Sequence, residues 1–299
     1  MKISLVLVTF STIVGLIAGV FYFPVRSHLL VWQNFYLAGD LMDEGRYSDS
    51  LELYDNILRE EPDMAIAIAN RAIAKYEVGD SEGALVDYDR ALKIQPSNRE
   101  ILRDRAVTRE YLGDLVGALE DWNRLVQLAP RDSYAFYGRG HCRESLGNEQ
   151  GTLEDYDEAI RLNPSNCFVL TARANYRFDH GDIEGSMQDY GSAIRSNSSH
   201  AQAYYNRGCC LTDMKNLDAA LSDFRKTVEI KPDQSAAWGK IAAILAEKGQ
   251  YKSALVAARK SLDLEPELHS LVGGEIRWGY KPDIAGRKVL CSRLEQALR

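Results

Sequence analysis

The chain has almost no proline outside one spacing, no surplus of basic charge, no CxxC pair and, beyond its first two dozen residues, no long hydrophobic run. Each shortage excludes something. A formal net charge of −7 argues against a phosphate-tracking surface, because nucleic-acid modules concentrate Lys and Arg, so no nucleic-acid partner is expected. The five cysteines, Cys142, Cys167, Cys209, Cys210 and Cys291, are an odd count without zinc-type spacing and read as small buried side chains. His28, His141, His180, His200 and His269 are scattered, and HExxH, GxSxG and glycine-rich phosphate loops are missing. Cys209 with Cys210, and His141 with Cys142, are sequence neighbours that point in different directions on a helix and make poor joint ligands. No catalytic residue, metal site, cofactor or small-molecule substrate is therefore expected.

Charge is also missing from Ile3 to Phe23, a 21-residue stretch. As a helix it would be about 31 Å long, matching a bilayer core, so residues 1–30 read as a membrane anchor with a short linker. A removed signal peptide is the rival reading, although the stretch exceeds an ordinary apolar region of about 7–15 residues. A single-pass membrane protein with an N-terminal anchor follows. Lys2 and the free amine against Arg26 give a small bias toward an array outside the cytoplasm, while the unpaired cysteines favour a reducing compartment. Gly15 and Gly19 form a GxxxG pair, which makes an anchor-mediated dimer conceivable.

The few prolines are informative through their spacing. Pro62, Pro96, Pro130 and Pro164 are 34 residues apart, as are Pro232 and Pro266, and Ser198 fills the missing slot. Aromatics keep the same time at Tyr54, Tyr88, Trp122, Tyr156, Tyr190 and Phe224, as do turn glycines at Gly45, Gly79, Gly113, Gly147, Gly181 and Gly249. Such a period is an internal repeat, and each unit reads as a helical hairpin. The glycine suits a left-handed helix end, the following Asp80, Asp114, Asn148, Asp182 or Asn216 caps the second helix, and the proline blocks continuation. A 34-residue helix-turn-helix with Trp or Tyr, Leu, Gly, Tyr, then Ala, Phe and Pro resembles the tetratricopeptide repeat, most closely at Ala236 to Pro266. Seven units start near residues 31, 65, 99, 133, 167, 201 and 235 and span 31–268. The resemblance implies an all-α fold, a right-handed superhelical solenoid, with a concave groove that binds peptides or helices of other proteins.

An arginine recurs in the first helix at Arg71, Arg105, Arg139, Arg173 and Arg207, where packing would favour an apolar side chain. An Asp precedes the aromatic in the same repeats, at Asp87, Asp121, Asp155, Asp189 and Asp223. In the first and last repeats both slots change together, to Leu37 with Leu53 and to Ile241 with Ala257. Because an unpaired buried charge is costly, the two series are expected to form a structural ladder of ion pairs. Whether each Arg meets the Asp of its own or of the preceding repeat is open. The second reading is a basic stripe for an acidic ligand, since Lys75, Arg109, Arg143 and Arg177 follow one turn later.

First-helix residues off the packing stripe supply the candidate peptide-binding groove: Tyr76, Tyr111, Tyr134, Tyr137, His141, Phe168, Phe178 and Tyr205. Acidic residues recur nearby at Glu77, Glu110, Glu144, Asp179, Asp213 and Glu247, which reads as a solvated edge. Asn175 occupies a slot like those that clamp chaperone-tail carboxylates, but Thr171 stands where a Lys is required, so that mode is not expected. Asn197-Ser198-Ser199 is a glycosylation tripeptide on an inter-repeat turn. The tail, 269–299, is read as a loop followed by a capping helix started by Asp283, with Leu290, Leu294 and Leu298 as its apolar stripe. The chain is thus expected to be a non-enzymatic interaction scaffold tethered to a membrane. A receptor for transiting polypeptides, an adaptor for an enzyme and an exported soluble protein are the alternatives.

Overall fold

A computed structural model of the protein describes residues 29–264 and 284–298, and among them only helices occur. Helix α1 covers residues 29–43. Then follow α2 (Tyr47–Glu60), α3 (Ala65–Glu77), α4 (Ser81–Ile94), α5 (Arg99–Tyr111), α6 (Leu115–Leu128) and α7 (Ser133–Ser145). Next come α8 (Glu149–Leu162), α9 (Cys167–Asp179), α10 (Ile183–Ser196), α11 (Ala201–Asp213), α12 (Leu217–Ile230), α13 (Ser235–Glu247), α14 (Tyr251–Asp263) and α15 (Ile284–Ala297). The uncharged Ile3–Phe23 stretch and Asp283 lie outside the described residues. Among those described, no helix is long and apolar enough to cross a membrane.

The local chemistry explains the hairpins. At the end of α3, Gly79 has φ +92°, and the amide of Asp80 turns back to the carbonyl of Lys75 at 2.8 Å, closing the helix in a left-handed end. The Asp80 carboxylate then accepts the Gly83 amide at 3.0 Å and starts α4. Asp114, Asp182 and Asn216 do the same for Gly117, Gly185 and Ala219. The sixth turn differs: Lys215 takes the glycine slot at φ 61°. A side chain in that region costs about 1–2 kcal/mol. Lys215→Gly should therefore raise stability by about 0.5–1 kcal/mol after the entropy glycine adds to the unfolded chain is subtracted, read as an upward shift of the urea midpoint.

The chain divides into two compact units, Met1–Asn148 and Glu149–Arg299, and the division falls between the two helices of the fourth repeat. In the first unit, Tyr54 and Tyr88 are buried with Ala38, Ala72 and Ala84, and Trp122 with Ala118, Ala135 and Cys142. Small residues opposite the aromatics let the helices close up: a Cβ on Gly138 would come within 2.5 Å of the Trp122 ring. In the second unit, Phe224, Ala220, Ile241, Ala254 and Ala257 form the corresponding core. There Gly208 faces the Phe224 ring in the same way, at 2.9 Å from a notional Cβ.

Helix α15 packs against α14 and α13, with Cys291 and Leu294 buried and Leu290 half-buried in the core of the last repeat. The stripe is thus not the expected one. Leu298 is exposed, and Cys291, three residues before Leu294, takes the inward position. All five cysteines are free, and burial pushes the Cys142 thiol up to about 12 and Cys210 up to about 11, which makes both unreactive near neutrality.

Candidate functional site

In four repeats the recurring Arg and Asp meet within the repeat. Arg71 is bidentate to Asp87, Nε donating at 2.8 Å and Nη2 at 2.6 Å, and Arg173 and Arg207 grip Asp189 and Asp223 in the same fork. Arg105 does likewise with Asp121. Arg139 lies in the first unit and donates to Asn123 at 3.3 Å, while the buried Asp155 lies in the second. Arg71, Arg105, Arg173 and Arg207 thus each meet the Asp of their own repeat, and a second carboxylate outside the series joins the first three of them. The remaining Nη1 of Arg71 reaches back to Asp55 of the preceding repeat at 2.7 Å, as Arg105 does to Asp89 and Arg173 to Asp157. Position 191 is Gly191, so Arg207 has no backward carboxylate and instead lies over the Tyr204 ring.

Three of the second cations are also committed to this ladder. Lys75 contacts Asp87 at 2.8 Å, Arg109 contacts Asp121 at 2.8 Å and Arg177 contacts Asp189 at 2.9 Å. A basic stripe aimed at an acidic ligand is therefore not what Lys75, Arg109 and Arg177 make, because their charge is spent on buried carboxylates. Burial by itself pushes the Asp87 carboxyl up, but hydrogen bonds from Arg71 and Lys75 outweigh it and hold the group below the usual carboxylate range. In the last repeat, Ile241 and Ala257 join Leu245, Trp238 and Val228 to line an apolar groove of about 440 Å³ where the charges would have continued.

The candidate groove residues divide by unit. In the first, Tyr76 on α3 and Tyr111 on α5 meet edge to face at 5.6 Å, and Tyr111 is 62% exposed. Tyr134, 45% exposed, contacts Tyr137, which contacts His141, with centroid distances of 6.1 and 6.5 Å along α7. Burial pushes the Tyr137 phenol up to about 12. Glu110 joins this strip to the core: its carboxylate lies 3.2 Å from His141 Nδ1 and accepts the indole N–H of the buried Trp122. Beside it, Arg103 pairs with Asp104 at 3.0 Å, and burial raises the Asp104 carboxyl. The sequence showed Glu110 only as one member of an acidic series, and the Arg103–Asp104 pair went unmarked, because neither spacing nor charge distinguishes an exposed acid from one folded against an indole.

In the second unit the aromatics turn inward. Phe178 packs on the cluster of Ala174, Tyr190 and Cys210, and Tyr205 packs edge to face on Phe224 at 5.6 Å. These two are partners of the core more than lining of a groove, since their slots face the aromatic of the second helix. Phe168 is 64% exposed and stands over His200 at 4.9 Å. What the first helices here present is amide: Asn175 Oδ1 accepts from Tyr190 and, at 2.9 Å, from Asn206, which in turn accepts from Gln202. His180 stacks on Tyr176, so the described histidines all sit in ring contacts, and no group of three or more metal-binding side chains occurs among the described residues.

His141, half-buried, and His200, buried, respond to pH in opposite senses. The hydrogen bond with Glu110 raises His141, so its contribution is fully present below the unfolded value of 6.5 and is lost as pH rises through the folded pKa. Burial lowers His200, whose Nε2 has no partner, so its contribution is present above 6.5 and is lost as pH falls through its folded pKa. Urea titrations over a pH series should show His200→Phe flattening the acid limb of stability and His141→Gln flattening the neutral limb.

Paired helices with consecutive first helices in contact, α3 with α5 and α9 with α11, and a charged ladder among them define a helical array built from one repeated hairpin. The chain belongs to the tetratricopeptide repeat family: models of that repeat match residues 37–166, in three overlapping segments, 201–234 and 235–268. Its fold is similar to that of a tetratricopeptide repeat protein from Parabacteroides merdae ATCC 43184, with a TM-score of 0.66 at 20% identity over 89% of this chain and 99% of the other. It is similar to the APC/C hetero-tetramer Cut9–Hcn1, at 0.63 and 15% identity over 86% of this chain and 48% of the other. It also resembles MamA, residues 41 to the end, from Desulfovibrio magneticus RS-1, at 0.54 and 16% identity over 57% and 97%. No curated protein matches it in sequence. Proteins of this family are generally interaction scaffolds.

Proposed function

We propose that the protein is a non-enzymatic scaffold that holds a peptide or helical segment of a partner protein on the first-helix strip of its N-terminal unit. It is tethered to a membrane by Ile3–Phe23 and serves the assembly of a membrane-associated complex. The observation that carries this reading is the strip Glu110, His141, Tyr137 and Tyr134, with the exposed Tyr111 next to Glu110 in the chain and in contact with Tyr76. It combines exposed ring area with fixed polar groups, anchored at one point to the core through Trp122. Rings of this kind give contact area at low entropic cost and dominate binding energy. Glu110 and Glu144, whose charges reach both Tyr137 and His141, favour a partner segment with basic side chains among its apolar ones. The tether follows from the length and lack of charge of residues 3–23.

The test is affinity capture with the full chain in mild detergent, compared with a Tyr111→Ala, Tyr134→Ala variant. Capture of one defined set of subunits, falling about 30-fold in the variant, is the expected result, since two ring truncations of this type remove about 2 kcal/mol or more. A heterogeneous set of unfolded chains would replace assembly with a receptor role. Equal capture by both proteins would remove the strip from the binding surface.

A further inference from the structure

The first helix carries a feature that neither the ladder nor the groove uses. On one side of α1, Val31, Ala38 and Leu41 are buried in the core. On the other, Leu29, Leu30, Trp32, Tyr36 and Leu37 are all about half exposed or more, Tyr36 to 68%. Exposed apolar side chains elsewhere in the first unit are spread over several helices and turns. Here five occur within nine residues on one helix. They are continuous with the interior through a ring cluster: Trp32 meets Phe35 at 5.8 Å and Tyr36 at 6.3 Å, and Phe35 meets the buried Tyr54 at 6.2 Å. The charge along the helix is equally uneven. Arg26 is the one Lys, Arg, Asp or Glu between Phe23 and Asp40, and then Asp40, Asp43 and Glu44 follow within five residues.

We infer that the apolar, aromatic end of α1 lies in the lipid–water interface of the bilayer, with the acidic end directed away from it. The inference rests on the tether proposed above and adds to it a second point of contact, on the folded array itself. A lipid surface suits this face better than a protein for two reasons. The chain outside the structure joins α1 directly at residue 28, and only residues 24–28 separate the end of the uncharged stretch from Leu29. Five extended residues span less than about 20 Å, so α1 is held at the level of the headgroups whether or not another protein is present. The side chains are also the ones that favour that depth: Trp and Tyr bury a ring in the acyl boundary and keep a polar edge in water. Aspartate and glutamate, by contrast, are repelled by an anionic leaflet, which sets the direction of the helix. The two contacts together would limit rotation of the first repeat and so place the aromatic strip at a fixed height above the membrane.

The experiment uses the full chain reconstituted into phosphatidylcholine vesicles, with or without lipid brominated near the interface. Emission from Trp32 is taken as the difference between the wild-type protein and Trp32→Phe, a change that keeps a ring at a half-exposed site. Flotation after alkaline extraction reports residues 3–23 independently of Trp32. The expected result is that both proteins float and that brominated lipid removes about half or more of the Trp32 emission, as an interfacial indole requires. Flotation with equal Trp32 emission in both vesicle types, whether a second copy or another protein covers α1, overturns the inference and leaves the tether standing. Failure of the wild-type protein to float overturns both.

Discussion

Arg207→Leu is expected to destabilise the protein by about 3–5 kcal/mol, whereas the double replacement Arg207→Leu, Asp223→Leu should recover most of that loss. The fork at 2.7 Å on both arms joins an arginine that is only a quarter exposed to an aspartate that is nearly sealed from water. Removing the cation strands the carboxylate in a medium that solvates it poorly. Removing both members restores an apolar contact of a kind the chain already uses in the last repeat, where Ile241 and Ala257 are both buried in one core. This rung is the cleanest for a double-mutant cycle because Arg207 has no backward carboxylate and Leu211 replaces the second cation. Urea denaturation of the two single variants and the double variant decides the matter. Equal midpoints for Arg207→Leu and the double would mean that the pair is not coupled and that the ladder is incidental.

Trp122→Ala should cost a similar amount, about 3–5 kcal/mol, because a fully buried ring packed against the bare backbone of Gly138 leaves a cavity that its neighbours cannot fill. Trp122→Phe separates packing from hydrogen bonding. It keeps most of the apolar area but removes the indole N–H from Glu110, with an expected cost of about 1–3 kcal/mol. The same variant bears on the binding strip. Glu110 is held between the indole and His141, and loss of one support should weaken partner capture even where the protein remains folded. Stability of Trp122→Phe equal to that of the wild-type protein would show that the indole does not anchor Glu110.

Much of the fold could be read along the chain because its determinants are local and periodic. A glycine at a left-handed helix end, a capping Asp three residues before the amide it binds and a proline after the second helix act within one turn of themselves. Their effect does not depend on what lies across the core. Lys215 shows the strength of that constraint, since the turn keeps its positive φ even without glycine. The ladder could be read for a different reason: charge entered and left two slots together, and burial of one sign requires the other.

The binding strip was only partly readable. Tyr76, Tyr111, Tyr134, Phe178 and Tyr205 look alike as aromatics in first helices, yet Tyr111 and Tyr134 are exposed while Phe178 and Tyr205 close onto Tyr190 and Phe224. Solvent exposure depends on how near the next helix comes, and that distance is set by the small residue opposite, not by the aromatic itself. The backward arm from Arg71, Arg105 and Arg173 to Asp55, Asp89 and Asp157 was hidden for the same reason: an Asp after the aromatic reads as surface until the following repeat brings a guanidinium to it.

The sequence by itself determined the class of fold, the repeat and its seven-unit length, the turns and the pairing of charge, because each is enforced within a residue or two, or by the need to neutralise what is buried. Only the tertiary structure decided which carboxylates each Arg bridges, which aromatics face water, which side of α15 is buried and that α1 bares an aromatic face. Those outcomes depend on the separation and rotation of neighbouring helices, and the bare backbone of a glycine such as Gly138 is what lets one helix close over the ring of another.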